Sequence, residues 1–456
     1  MIRFIKYTLF VVLLIASASA CNDILDPQPI NLQITELALN DANDVGPVLT
    51  GLYAALRTTG SPTVIAGDFT ADMVTHRGTF TQYRELGTKQ ITPANAAVTA
   101  LWANLYSTVY IANFILERLP DVSGIPAAQR REVLATARFL RGYAYFIGVN
   151  TYGDMPLVTT SDRNVNRNIA RTSSGEILAF VEQDYLAALP DLPEDPASVA
   201  FASRGAVQAA LARFYLYQRD WAKAEQYATA VISSGKYTLV NEYVQLVQQD
   251  FTTEAILELG YTANDDPGTS ATGLNNIFVG RREVIPSNEI LDSLYSAPSG
   301  ERRSTVNFDP ARLRGTDNGF IVAKYGNVPN DLENNNIVLF RLGEMYIIRA
   351  EARAWQGNIN GANSAEEDLN VLRARAKALN GTANTQNQML SLILRERIYE
   401  LAYEGHRWYD LKRTGRLNQV MSAFSRNWQP AYELWPVPQR EIQSNPGLAN
   451  AQNPGY

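Results

Sequence analysis

Ile393-Leu-Arg-Glu-Arg-Ile-Tyr-Glu-Leu-Ala-Tyr-Glu-Gly-His-Arg-Trp-Tyr-Asp-Leu-Lys-Arg413 is the most informative segment of this 456-residue chain. Apolar side chains recur in it at spacings of four and three, at Leu394, Ile398 and Leu401, which predicts one buried face of a helix. Gly405 supplies a break, and a second apolar face begins after it. The segment therefore predicts a pair of helices joined by a tight turn.

Charged residues form a second row in the same segment. Glu396, Glu400 and Glu404 follow one another at intervals of four, and Arg397 lies beside them, so opposite charges can pair along one helix face. Carboxylates near His406 would also suit a catalytic or metal site. Charge pairing is the commoner role of such a row, and we predict that Arg397, Glu400 and Glu404 stabilise the closing helix pair without touching ligand.

Composition limits the class of protein. The formal charge is −6, and an acidic chain has no general affinity for phosphate backbones, so nucleic acid is not expected as a partner. The only cysteine is Cys21 and the only histidines are His76 and His406, which nearly excludes zinc sites. Common phosphate-loop, dinucleotide, serine-hydrolase and metalloprotease motifs are missing from the sequence. We therefore expect no enzyme activity, cofactor or metal.

The N-terminus predicts export. Residues 1–20 contain a basic start, the apolar run 9–15 and small residues that lead directly to Cys21. A small-residue cleavage site next to a lone cysteine resembles a bacterial lipobox, although Ala18 stands where leucine is usual. A lipidated Cys21 would carry more than one acyl chain, which anchors a protein stably to a membrane. A plain secretory signal with a stray cysteine is the alternative.

Helical periodicity organises most of the remaining chain into pairs. The segments 204–218 and 221–233, and later 340–356 and 362–378, each form a helix–turn–helix of roughly thirty-four residues, the length of a tetratricopeptide unit. We expect a mostly α fold, in which tetratricopeptide-like helix pairs form a right-handed superhelical scaffold with large irregular insertions. The predicted scaffold ranges are 36–57, 96–150, 173–235 and 338–415.

Two regions lack this periodicity and carry the candidate binding residues. Glycine and proline punctuate 60–95 and 236–337, and long irregular regions inside a compact protein are often functional. All six tryptophans lie outside them, so tyrosine or phenylalanine must supply any flat apolar surface there. An ordinary surface loop is the alternative. The proposed ligand-binding residues are Asp72, His76 and Arg77 for polar groups and Phe80, Tyr83, Tyr295 and Tyr325 for apolar faces.

The order of residues in several segments resembles the SusD/RagB family of nutrient-binding outer-membrane lipoproteins. The similar segments are Arg395–Arg413, the helix around Arg138–Phe146, and the tail from Trp428, which contains Trp435-Pro-Val-Pro438. Prolines in this tail predict that 416–456 is extended. The resemblance implies a single domain over 21–456 and ligand sites in the two irregular regions. It also implies an outward-facing lipoprotein that captures oligosaccharide or peptide above a SusC-like TonB-dependent barrel.

Other functions remain open from the residues alone. Glycoside hydrolases need only a pair of carboxylates, which the 46 acidic residues could supply, and released reducing ends would reveal such an activity. A scaffold of helix pairs could instead bind partner proteins, and would then associate with an envelope protein without ligand.

Overall fold

The computed structural model describes residues 39–261, 273–326 and 336–456. The predicted signal 1–20 and Cys21 lie outside these residues. Helices dominate, as predicted, and none of the described helices combines the length and apolarity needed to cross a membrane. The α-helices in the first part of the chain are α1 (Val45–Thr58), α2 (Gly60–Val64), α3 (Thr81–Thr88), α4 (Ala96–Arg118), α5 (Ala127–Tyr152), α6 (Arg163–Asn166), α7 (Ser174–Ala188), α8 (Arg204–Gln218), α9 (Trp221–Ser233), α10 (Gln245–Gln248) and α11 (Asn288–Leu294).

The C-terminal part of the chain continues in the same way, and short strands are interspersed. The remaining α-helices are α12 (Leu342–Trp355), α13 (Ala365–Arg375), α14 (Gln386–Glu400), α15 (Arg407–Arg413), α16 (Leu417–Phe424) and α17 (Gln439–Ser444). Because α16 and α17 lie within 416–456, the prediction of an extended tail there is wrong for these two segments. The strands are β1 (Val74–His76), β2 (Ala255–Leu259), β3 (Val284–Pro286), β4 (Val306–Phe308), β5 (Phe320–Val322) and β6 (Ile337–Arg341), which pair antiparallel as β1–β3, β2–β6 and β4–β5.

Consecutive helices pack as antiparallel pairs and form the scaffold. The two helices of each pair are in contact: α4 with α5, α8 with α9 and α12 with α13. Contacts of α5 with α7, α7 with α8 and α9 with α12 connect the pairs to one another. Ala206 and Ala210 of α8 and Ala224 and Ala228 of α9 are fully or nearly fully buried. Small side chains there allow the helices to approach closely, so the tetratricopeptide-like unit predicted at 204–233 is present.

Residues 60–95 differ from the predicted irregular loop. Helix α2 continues directly from α1 and passes into a π-helical turn, Ile65–Phe69, which is buried throughout. A Cβ at Gly67 would lie 1.9 Å from the backbone oxygen of Gly405, so only glycine permits this close approach. Beside it, the carboxylate of Asp68 accepts hydrogen bonds from the backbone of Gly405 and Arg407. Tight contact with the 393–413 segment, which local periodicity does not reveal, orders this part of the chain.

Buried carboxylates of the 393–413 segment connect the scaffold to the inserted region 236–337. Glu400 is fully buried and pairs with Arg302, Arg341 and Arg375. Glu404 pairs with Arg341 at 2.8 Å and with Lys324 at 2.5 Å. Arg302 and Lys324 belong to the inserted region, whereas Arg341 immediately precedes α12. The contacts place Glu400 and Glu404 in the interior, but the predicted pairing with Arg397 along one helix face is wrong: both carboxylates pair with cations of other segments, and Arg397 pairs with Asp410.

Replacing Glu404 with alanine should destabilise the protein by about 3 kcal/mol, because it leaves Arg341 and Lys324 buried with one partner fewer. Urea unfolding of the two proteins measures the difference. Lys377→Ala is the control. The side chain of Lys377 is 57% exposed, and ion pairs between exposed side chains contribute little to stability. Equal stability of the Glu404 variant and the wild type would contradict this role.

Glu258 of β2 should make the stability of the protein depend on pH. Burial raises its pKa to about 7, although the backbone of Phe251 and the amide of Asn336 both donate to it. The folded protein therefore holds this proton more tightly than the unfolded chain. That contribution is fully present below the unfolded pKa and is lost as the pH rises through 7.

Glu258→Gln removes the charge and keeps an acceptor oxygen. We expect the variant to be more stable than the wild type at pH 8.5, by about 3 kcal/mol, with the difference vanishing near pH 4. Denaturant unfolding at a series of pH values measures it, and Glu242→Gln, at an exposed position, should show no such trend. A difference that is constant with pH would argue against this assignment.

Candidate functional site

Strands β1 and β3 bring the two predicted binding regions together. Val74 pairs with Pro286 and His76 with Val284, and the backbone of Arg77 continues the contact by donating to the Glu283 carbonyl. The segments that follow β1 and precede β3 therefore lie side by side. We call the surface formed by 74–84, 281–286 and 295–322 the lobe.

One buried carboxylate organises the polar part of the lobe. Asp317 accepts hydrogen bonds from both terminal nitrogens of Arg282, at 2.7 and 3.0 Å, and pairs with Arg77 at 2.7 Å. Burial alone would raise the pKa of Asp317, but the Gly319 backbone and the two arginines outweigh it and hold the pKa below its usual value. Arg77 is 37% exposed, so it can still present donors to a ligand.

Glu283 is a second carboxylate that holds neighbouring residues of the lobe in place. Its carboxylate accepts from the backbone nitrogens of Thr79 and Phe80 and from Arg281. Burial would raise the pKa of Glu283, and these hydrogen bonds outweigh it and lower the pKa instead. The guanidinium of Arg281 lies 4.2 Å from the centre of the Phe80 ring, which half-buries that ring.

Three aromatic rings form an exposed surface at the β4–β5 ribbon. Phe308 and Phe320 are opposite one another across the ribbon, with ring centres 5.0 Å apart, and Tyr295 meets Phe320 edge-on at 5.3 Å. Tyr295 and Phe308 are each 51% exposed. We call Tyr295, Phe308 and Phe320 the aromatic ledge. Arg282 donates both to Asp317 and to the backbone carbonyl of Phe320, so it connects the Arg77–Asp317 ion pair to the strand that carries this ring.

The structure brings only some of the predicted site residues to this surface. Arg77 reaches it through Asp317 and Tyr295 forms part of it, while His76 and Phe80 are half-buried on the neighbouring strand and turn. Burial lowers the pKa of His76 below its usual value. That Arg77, Tyr295, His76 and Phe80 bind a ligand stays a prediction.

Tyr83 and Tyr325 differ from the sequence expectation, because their rings lie in the core. Tyr83 is 2% exposed and packs edge-on against Phe69, and burial raises its pKa to about 12. Tyr325 is 3% exposed and donates its hydroxyl hydrogen to the backbone carbonyl of Tyr403. Neither ring is exposed on the lobe surface, although Tyr83 also lines a cavity in the interior.

Asp72 is also turned inward. Both of its carboxylate oxygens accept from Arg407, at 2.8 and 2.7 Å, and the residue is 8% exposed. The contact of Asp72 with Arg407 therefore connects the segment after the π-helical turn to α15, and Asp72 does not face the lobe surface.

Sequence reasoning missed Phe308 and Phe320. Each is a phenylalanine in a short strand of a region without periodicity, and only the pairing of β4 with β5 places the two rings together. A cavity of about 440 Å³ lies between α1 and α4 and was not evident from the sequence. Its lining includes Arg57, Tyr83, Asn104 and Tyr261. Gly273 also lines this cavity, and residues 262–272 separate it from Tyr261 along the chain.

Within 39–261, 273–326 and 336–456, no group of three or more histidine, cysteine, aspartate or glutamate side chains is arranged to hold a metal ion.

Comparison with known proteins gives the same family at both ends of the chain. A family model described as "Starch-binding associating with outer membrane" matches residues 30–216, and one described as "SusD family" matches residues 309–456. SusD-like protein P2 of Formosa agariphila is 25% identical over 99% of this chain and 100% of its own length. The starch-binding protein SusD of Bacteroides thetaiotaomicron is 24% identical over 75% of this chain and 76% of its own length.

Solved structures agree at the level of the fold. A laminarin-binding SusD-like protein superimposes with a TM-score of 0.75 at 24% identity, covering 91% of this chain and 100% of that one. A SusD superfamily protein of Bacteroides thetaiotaomicron gives a TM-score of 0.78 at 22% identity, with the same coverage. The two family models, together with relatives that align along the chain, lead to one conclusion: this chain belongs to the SusD/RagB family.

Proposed function

We propose that this protein is a surface-exposed, lipid-anchored binder that captures oligosaccharides for import through a TonB-dependent outer-membrane transporter. The observation that carries the proposal is the exposed aromatic ledge of Tyr295, Phe308 and Phe320 beside the Arg77–Asp317 ion pair. Relatives named for binding starch and laminarin support a glycan as the ligand.

The chemistry of the ledge suits a sugar. A pyranose ring has an apolar face of C–H groups and an equatorial rim of hydroxyls. Aromatic rings carry partial negative charge on their faces, so they attract C–H groups, while Arg77 can donate to ring or hydroxyl oxygens. Tryptophan is not needed, because two phenylalanines and a tyrosine together offer a broad apolar surface.

Binding without catalysis fits the carboxylates at the lobe. A glycosidase needs an acid with a raised pKa to protonate the leaving oxygen. Asp317 and Glu283 are instead paired with arginines, and both have pKa values below the usual range. They are held as anions that orient cations, which favours a binding role over a hydrolytic one.

The Tyr295→Ala, Phe308→Ala double variant should bind the cognate glycan at least tenfold more weakly, about 1.4 kcal/mol. Aromatic anchors usually carry most of the energy of a binding surface. Both side chains are half exposed, so the melting temperature should change little. Calorimetry or affinity electrophoresis against panels of glycans and peptides first identifies the ligand and then compares the variants.

Phe201→Ala is the control, because Phe201 is 44% exposed and its ring contacts Tyr53 of the scaffold helix α1. Tyr83 and Tyr325 are unsuitable probes, since truncating a buried ring would destabilise the fold. The scaffold also carries an exposed tryptophan, Trp355, which stacks on Trp221 with ring centres 5.2 Å apart. Loss of binding in Trp355→Ala, with the double variant unaffected, would move the glycan site to the scaffold.

Lipid anchoring is tested at Cys21. Cys21→Ala removes the thiol that would be acylated, so the folded variant should appear in the periplasmic fraction while the wild type remains with outer membranes. Surface labelling of intact cells separately tests whether the wild type faces outward. A variant that still fractionates with outer membranes would show that something other than acylation of Cys21 retains it.

A further inference from the structure

Charge is distributed unevenly over this protein. The lobe contains eight arginines and four carboxylates, a formal excess of four positive charges, whereas the whole chain carries −6. The rest of the chain is therefore strongly acidic. Counting Glu289 and Asp292, the exposed acids of the adjoining helix α11, still leaves an excess of two positive charges around the ledge. A positive region on an acidic protein concentrates anions at that region.

All four carboxylates of the lobe already have cationic partners. The side chains of Asp317 and Glu283 are only 1% and 2% exposed, and they pair with the arginines described above. Asp309 pairs with an arginine three residues later, and Glu301 pairs with a lysine outside the lobe. The lobe therefore has no free carboxylate that could accept a hydrogen bond from a ligand.

Several arginines of the lobe remain available to a ligand. Arg84, Arg303 and Arg314 are exposed, and none of them forms an ion pair with a described residue. Arg77 pairs with Asp317 through Nε, and its side chain is 37% exposed. The accessible charge of the lobe is therefore carried mainly by guanidinium groups.

Two of these arginines are connected to the aromatic ledge. The ring of Phe308 lies against Gly319, where an added Cβ would be 2.7 Å from it, and the Gly319 nitrogen donates to Asp317, the partner of Arg77. Burial raises the pKa of Tyr295, and the positive charge of Arg303 opposes this rise, so Arg303 lies near the Tyr295 ring. A ligand that stacks on the ledge would therefore be within reach of both cations.

The balance of donors and acceptors indicates what such a ligand must carry. Arginine has five donors and no acceptor, whereas every sugar hydroxyl both donates and accepts. A neutral sugar would leave the positive charges uncompensated, and its hydroxyl hydrogens would find no free carboxylate in the lobe. A carboxylate or sulfate on the sugar supplies charged acceptors, and hydrogen bonds of this kind are about twice as strong as neutral ones.

We propose that the lobe binds an acidic oligosaccharide, whose sugar ring stacks on the aromatic ledge while a carboxylate or sulfate group contacts Arg77 and Arg303. This inference rests on the proposed function, because it names the class of glycan captured at the same surface. The planar guanidinium group matches the paired oxygens of such an anion. Three exposed rings suit a sugar better than an acidic protein, which would need a far larger contact area.

Matched pairs of ligands test this assignment by calorimetry at constant ionic strength. Oligogalacturonides are compared with their carboxyl-reduced counterparts, and sulfated galactan oligosaccharides with desulfated ones. We expect at least one acidic glycan to bind at least tenfold more tightly than its neutral counterpart, with a difference that shrinks as sodium chloride is added. The pair that shows the preference identifies the anionic group as carboxylate or sulfate.

Neutral oligosaccharides of starch and laminarin complete the panel. If they, or the neutral member of each pair, bind as tightly as every acidic glycan, this inference is wrong and glycan capture stands. If no glycan binds, charged or neutral, the proposed function itself is contradicted, and this inference with it.

The Arg77→Gln, Arg303→Gln double variant locates the charged contact. It removes two positive charges and keeps the rings and two polar side chains. The ratio of the neutral to the acidic Kd should fall at least fivefold. The control Arg118→Gln, Arg167→Gln removes the same charge from exposed positions outside the lobe and should keep the wild-type ratio.

An unchanged ratio in the folded double variant overturns the proposal. If the double variant does not fold, Arg303→Gln alone decides in the same way. Arg303 is exposed and has no described ion-pair partner, so its replacement leaves no carboxylate unpaired and should not disturb the fold.

An aspartate-rich peptide separates a sugar from an acidic protein. We expect it to bind more weakly than the preferred acidic glycan, because it has no ring to stack on the ledge. Loss of glycan binding in the Tyr295→Ala, Phe308→Ala variant should accompany that result. Peptide binding as tight as that of every acidic glycan, and unaffected in this variant, would assign the arginines to a protein partner and overturn the proposal.

Discussion

Burial of Glu400 and Glu404 among arginine and lysine side chains is the constraint on which the rest of the structure depends. Removing a carboxylate from water costs several kcal/mol unless every neighbouring charge is in position. Burial would raise the pKa of both groups, but Arg341 and its neighbours outweigh it and lower the pKa instead. Their stabilising effect is therefore present above their unfolded pKa and is lost in acid. Because the cations come from distant segments, the cluster is satisfied only when scaffold and insertion are assembled together.

This constraint explains how an inserted region with little regular structure holds a defined surface. Arg302 and Lys324 connect it to the buried carboxylates, while the β1–β3 pairing and the Arg77–Asp317–Arg282 contacts fix its outer part. The aromatic ledge thus stands on an ordered base, although its own strands have only three residues each. A ligand would meet rings that are already positioned, and would lose little free energy in ordering them.

The scaffold could be predicted from the sequence because helix pairs are local. Spacing of apolar residues and alanines at 204–233 indicated a helix–turn–helix, and the structure has one. The row of charges at Glu400 and Glu404 indicated a role in stability, but α14 ends at Glu400, and both carboxylates pair with cations distant in sequence and not along one helix face. Tyr83, Tyr325 and Asp72 were expected to face ligand, yet their partners Phe69, Tyr403 and Arg407 make them part of the interior. Phe308 and Phe320 become neighbours only through strand pairing. Both outcomes depend on contacts distant in sequence, which periodicity does not encode.

The close contact of Gly67 with Gly405 also bears on how the chain folds. Asp68 receives hydrogen bonds from residues 337 and 339 positions later, and Thr70 receives one from Trp435, 365 positions later. Closing loops of this length costs entropy before any contact is gained, and such topologies fold slowly. The segment 60–72 therefore cannot reach its final packing until nearly the whole polypeptide has emerged from synthesis or translocation. Until then its apolar side chains remain available to chaperones.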